Sequence, residues 1–303
     1  MVRGPGVVFL LVSSFLLFSF GLVSSQVPIL ENDNIRVNFA ESDGDIFLGS
    51  ITNLETDYTF DFEQKSAWEF VLINLNTLQE EIFTADNLNC DPADFALNNG
   101  VVGMRWNNCV IDVNNKFNVR MYVYLEGALS KWRLQVMPTL QNYSLGRIGN
   151  SIHISKDTNL DSFVALPTAA GLLVNSPETT LQDYPVWHPQ QAAVQMSPYW
   201  VSNGNGLYIT TLDEESTLIK QHDYDGHGTY FTVKRLYSVP NSLDPGIIST
   251  TVPYDFVIGV YEGDWYDASK LYRNWAEGTK ILEKGRTETR TDIPQWWKEV
   301  DLS

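Results

Sequence analysis

Basic residues are scarce in this 303-residue chain. Only 20 Lys and Arg face 37 Asp and Glu, leaving a formal net charge of −17. A field of that sign repels phosphate backbones and anionic lipid, which argues against nucleic acid as a partner. Cysteine is nearly absent. Cys90 and Cys109 are the two present, and no His stands beside them at ligand spacing, so they make a poor zinc site. Beyond residue 23 no apolar run is long enough to span a bilayer. The chain has no internal repeat and no low-complexity tract, and almost no helical period between Asn34 and Tyr254. No cofactor motif is present, and none is expected.

What is present begins with a targeting segment. Arg3 supplies a basic start, Val7 to Val23 is almost wholly apolar, and Val23-Ser24-Ser25 offers small residues for cleavage before Gln26. Residues 1–25 therefore read as a signal peptide, and the protein as secreted with no membrane attachment after cleavage. An uncleaved anchor, or a lysosomal destination, is the alternative. Export places the cysteines in an oxidising compartment, so a Cys90–Cys109 disulfide is expected. Closing a loop of about 20 residues, it contributes roughly 3 kcal/mol through the unfolded state. Asn142-Tyr143-Ser144 is a glycosylation sequon and predicts a surface loop at Asn142.

The body of the chain reads as strands. Ile35, Val37 and Phe39 alternate with polar residues, Asp43-Gly44 turns, and Ile46 to Ile51 answers as the second arm of a hairpin. Trp68 to Leu75 is a further apolar run, residues 77–99 read as a polar loop carrying Cys90, and Val101 to Trp106 is another strand. The clearest pair is Phe117 to Leu125 with Ser130 to Val136. There Phe117, Val119, Met121, Val123 and Leu125 share one face and Trp132, Leu134 and Val136 answer them. Arg147 to Ile154, Leu172 to Val174, Ala192 to Met196, Leu207 to Leu212 and Tyr230 to Tyr237 bring the expected total to about a dozen. This pattern predicts an all-β fold, a large antiparallel β-sandwich.

One helix closes it. Phe256 to Val260 is a buried strand, Gly263 breaks it, and Asp264 stands at an N-cap with Asp267 three residues on. Ala268, Leu271, Tyr272 and Trp275 then recur at helical spacing, predicting a helix over 265–278. Residues 279–303 read as a charged linker that ends in Ile293-Pro294-Gln295-Trp296-Trp297 and six more residues.

Chemistry is sought first between Tyr184 and Asp223. Trp187, His188, Tyr199, Trp200, Asp213 and Lys220 combine aromatic rings with polar tips, which suits sugar recognition: ring faces stack on sugar C–H groups and polar tips bind hydroxyls. The competing reading packs Trp187, Tyr199 and Trp200 into the sandwich or over its rim. His222-Asp223-Tyr224-Asp225-Gly226-His227-Gly228 holds metal-ligand residue types, but reads as a polar hairpin loop between strands 207–219 and 229–237, and no metal is expected. Glycoside hydrolysis needs two acids roughly 5–10 Å apart, and among 37 acidic residues none stands out as a pair.

GDWYDASKLYRNWA, followed by a linker and IPQWW, resembles the junction in an uncharacterised group of large glycoside-hydrolase-like proteins. There a galactose-mutarotase-like supersandwich precedes a (β/α)8 barrel. The group also tends to show YP, MQ, GLY, then an Asp and a Lys. Here Gln195-Met196 replaces Met-Gln, and Leu212 precedes Asp213 where a His is expected. The resemblance implies a sandwich over residues 26–278, with the catalytic carboxylates on a barrel that this sequence lacks. It implies a non-catalytic secreted sandwich that contacts carbohydrate. The alternatives are a fragment of a full hydrolase, with the barrel as its partner, and a sugar epimerase whose His acids and carboxylate base share a cleft. Spacing alone does not place His153, His188 or His222 in such a cleft.

Overall fold

The computed structural model describes residues 27–192, 194–214, 218–240, 249–280 and 291. The signal segment, the sequence Ile293 to Trp297 and most of the expected linker lie outside the described residues. The described chain forms twenty strands, a four-residue helix Pro177–Thr180 and one longer helix, Trp265–Ala276. All strand pairings are antiparallel. The all-β antiparallel sandwich expected from the sequence is the observed class.

Three sheets share one core. The hairpin Ile35–Ser42 and Asp45–Asn53 turns through Asp43 and Gly44 at φ 53° and 80° and belongs to a four-stranded sheet. A ten-stranded sheet contains the meander Val101–Asp112, Asn115–Glu126 and Leu129–Thr139. A six-stranded sheet runs in the order Tyr184–His188, Lys220–Gly226, Tyr230–Ser238, Tyr143–Ser155, Trp68–Asn74, Glu80–Thr84. Alternation delivers Val119, Met121, Val123, Trp132, Leu134 and Val136 to the interior. They meet Trp68 and Phe70 of the six-stranded sheet, with Phe70 edge-on to Phe117 at 5.1 Å and Trp68 edge-on to Trp106 at 5.9 Å. Each such aromatic pair adds about 0.5–1.5 kcal/mol beyond area burial.

The longer helix packs on the outside of the ten-stranded sheet. Asp264 caps it, its Oδ1 accepting the Tyr266 N–H at 2.7 Å. Ala268, Tyr272 and Ala276 are buried against Tyr208, Val257 and Tyr261. Leu271, expected in the same stripe, is exposed, because the buried face follows positions 268, 272 and 276. The helix ends at Ala276 rather than 278.

Three further expectations are corrected. Residues 77–99 are not one loop, for they hold the strands Glu80–Thr84 and Asp94–Asn98. The stretch Ala192 to Met196 forms no strand among its described residues. The run His222 to Gly226 is not a hairpin loop but most of the strand Lys220–Gly226. Alternation sends His222 inward and Asp223 outward, so they cannot share a metal, and no metal-binding group of three occurs among the described residues. Cys90 and Cys109 are disulfide-bonded as expected. Asn142 is exposed in the turn before Tyr143–Ser155. No described helix is long and apolar enough to cross a membrane.

Candidate functional site

The six-stranded sheet carries a polar outer face. Its register aligns Glu69, Gly149, Leu236, Gln221 and Trp187 in one row, and Ser151, Lys234, Asp223 and Pro185 in the next. Lys234 Nζ reaches Glu69 Oε2 at 2.7 Å. Both oxygens of Asp223 accept from Gln221 Nε2, at 2.8 and 3.0 Å. Arg147 lays its guanidinium 5.7 Å from the centre of the Trp187 ring and grips Glu80 with two nitrogens. Gly149 is required where it is, since a Cβ would stand 1.9 Å from the Arg235 carbonyl. Burial raises the carboxyls of Glu69 and Asp223 above the usual carboxylate range. Two side-chain atoms on this face, Arg147 Nε and Gln221 Oε1, are buried without a partner among the described residues. One is a donor and one an acceptor, and both flank Trp187.

His153 stands on the same face. Ser151 Oγ lies 3.0 Å from its Nε2 and Thr232 Oγ1 3.0 Å from its Nδ1, so both ring nitrogens are occupied. Burial pushes its pKa down to about 3.

A cleft of about 590 Å³ opens elsewhere, on the outer side of the ten-stranded sheet beside the helix. Lys131, Arg133, Asp213, Tyr254, Asp255 and Trp275 line it. Arg133 pairs with Asp255 at 2.7 Å, and Tyr124 Oη donates to the same carboxylate at 2.7 Å. At its inner wall Asp213 Oδ2 meets the Nζ of the wholly buried Lys220 at 2.6 Å. Burial lowers the Lys220 pKa from its ordinary value.

The six residues singled out by sequence are not brought to one place. Asp213 and Lys220 form the buried ion pair. Trp187 lies half-buried on the outer face of the six-stranded sheet. His188 is buried on the inner side of that sheet, stacked on His222 with ring centres 6.1 Å apart. Tyr199 is buried and donates to Glu178 at 2.8 Å. Trp200 stacks on Phe163 in the cluster beneath the helix. For Tyr199 and Trp200 the packing alternative is the observed placement. Glu69, Arg147, Gln221 and Lys234 are not among the sequence candidates, and Asp223 is there only as a metal-ligand type. Their signal was the alternation of 221, 223 and 225 on one face, hidden because the opposite face is polar too.

The fold has counterparts. A family model described as "Domain of unknown function (DUF6259)" matches residues 250–303. Comparison with curated proteins finds no match. Among solved structures, the chain is similar to the alpha-N-acetylgalactosaminidase NagBb from Bifidobacterium bifidum, in complex with GalNAc, at 11% identity and a TM-score of 0.55. That alignment covers 82% of this chain and 39% of that one, so the chain spans about two-fifths of the enzyme's length. A galactose mutarotase related enzyme from Lactobacillus acidophilus aligns at 11% identity and a TM-score of 0.46, covering 79% of this chain and 99% of that one. The 4-alpha-glucanotransferase from Thermococcus litoralis aligns at 7% identity and a TM-score of 0.41, covering 77% and 39%. The fold is thus one also found within a bacterial glycosidase.

Proposed function

We propose that this chain is a secreted, galactose-mutarotase-like sandwich, related to those of glycoside hydrolases, that contacts carbohydrate and performs no chemistry itself. The observation that carries this reading is the outer face of the six-stranded sheet. There an aromatic ring, Trp187, is flanked by an unpartnered donor, Arg147 Nε, and an unpartnered acceptor, Gln221 Oε1. A sugar ring presents an apolar C–H face and hydroxyls that both give and take hydrogen bonds, and it matches that set. Catalysis is assigned elsewhere because the histidine of this face has both nitrogens engaged and stays neutral. A glycan array probed with the purified protein tests this. Binding that falls at least tenfold in Trp187→Ala supports it, and absence of binding to any glycan at millimolar concentration sinks it.

A second reading is favoured by coverage. The alignment covers 39% of the Bifidobacterium enzyme, which fits this chain being the sandwich of a longer hydrolase whose catalytic part lies outside it. The mass of the deglycosylated native protein distinguishes the two, since a (β/α)8 barrel adds about 250 residues. The epimerase alternative is tested by polarimetry on simple aldoses, and no rate above buffer removes it.

A further inference from the structure

Three buried polar side chains between the six-stranded and ten-stranded sheets carry atoms without a partner among the described residues. His222 and Arg235 are register partners on the core-facing side, and both are almost wholly buried. Arg235 directs one terminal nitrogen to Ser197 Oγ at 2.6 Å and the other to the Lys234 carbonyl at 3.0 Å. Among the described residues its Nε has no partner, nor has either ring nitrogen of His222, nor the hydroxyl of Tyr254. Tyr254 enters from just before the strand Phe256–Glu262, with Lys220 Nζ 5.0 Å from its ring centre. Each such orphan is costly, because the group gives up its water without a replacement partner. Several in one region call for an unseen water or ion.

Charge and hydrogen-bond inventory narrow the guest. Lys220 is neutralised by Asp213. Arg235 makes no ion pair among the described residues, and Asp223, the nearby acid, projects from the other face of the sheet. Nearby acceptors are already engaged: Ser197 Oγ contacts Tyr224 Oη as well as Arg235, and Gln195 Oε1 takes the Thr211 hydroxyl at 2.8 Å. The groups left over are chiefly donors: Arg235 Nε–H, the Tyr254 hydroxyl and one N–H of a neutral His222. We propose that this region of the interior binds a halide-sized monovalent anion, held by Arg235 Nε, Tyr254 Oη and His222. Asp213 and Tyr254 also line the 590 Å³ cleft, whose other charged residues, Lys131, Arg133, Glu214 and Asp255, are of both signs.

Bromide tests this directly. Crystals soaked in sodium bromide should show an anomalous peak within hydrogen-bond reach of Arg235 Nε. Replacing gluconate by bromide at fixed ionic strength should raise the unfolding midpoint, by on the order of 3 °C at saturating halide. Arg235 is too deeply packed for a clean deletion, so Tyr254→Phe serves, since it removes one hydroxyl and keeps the ring. It should lose most of the halide-dependent rise. No anomalous peak with equal midpoints in the two salts would mean that water fills the region and would overturn the proposal. A full halide effect in Tyr254→Phe would place the anion elsewhere and overturn it equally.

Discussion

Asp213 and Lys220 depend on each other. Both are almost fully removed from water and they sit 2.6 Å apart. Removing one partner strands a buried charge, and such losses run to about 3–5 kcal/mol. Asp213→Asn should therefore lower stability by that order in urea titrations, while Asp213→Leu combined with Lys220→Met recovers most of it. A single substitution that costs nothing would show that the pair is solvated. The histidines make a second test at this scale. Burial holds His153 near 3, His188 near 4 and His222 well below the ordinary value. Below about pH 6.5 the unfolded chain binds protons that the folded chain refuses, so these groups withdraw stability as pH falls from there through the folded values. In the native protein three imidazole signals should stay fixed between pH 7.5 and 5; movement of all four contradicts their burial. Asp213 and Lys220 were legible as a spacing, but not as a buried pair. Glu69 and Lys234 were not legible at all, because 165 residues separate them and only the sheet register joins them.

Local signals were read best at the level of elements. The helix cap at Asp264 depends on neighbours two and three residues away, and the structure reproduces it. Asp264→Ala should cost about 1 kcal/mol, visible as a lower melting midpoint, with no change counting against the cap. Gly263→Ala should cost more. Its φ is 109°, and a Cβ would lie 2.0 Å from Asp267 Oδ2, a cap-box oxygen. The strand Lys220–Gly226 was misread for a physical reason. Strand recognition looks for one apolar face, and here the inward residues are Lys220, His222 and Tyr224. A polar interior removed the alternation that would have marked it. Where the interior is apolar, as from Phe117 to Val136, face assignment succeeded at every position from Phe117 through Val123 and from Trp132 through Val136.

The whole molecule joins sheet edges that are far apart in sequence, and the disulfide fastens one of them. Cys109 lies on the strand Val101–Asp112 and Cys90 in the segment before Asp94–Asn98. Reduction should lower the stability of the sandwich by about 3 kcal/mol without unfolding it outright, as read by denaturant midpoints with and without reductant; equal midpoints would deny it that part. The all-β class was legible because alternation is a local property. The meeting of Trp187 with Arg147 was not, since it arises from strands that are not neighbours in the sheet. That meeting is where we propose sugar contact. A titration of labelled protein with mono- and disaccharides, followed by backbone amide shifts, tests it most directly. Saturable shifts at Trp187, Gln221, Asp223 and Arg147, abolished by Trp187→Ala, are the predicted result. Shifts confined to other strands, or none at tens of millimolar sugar, would contradict it.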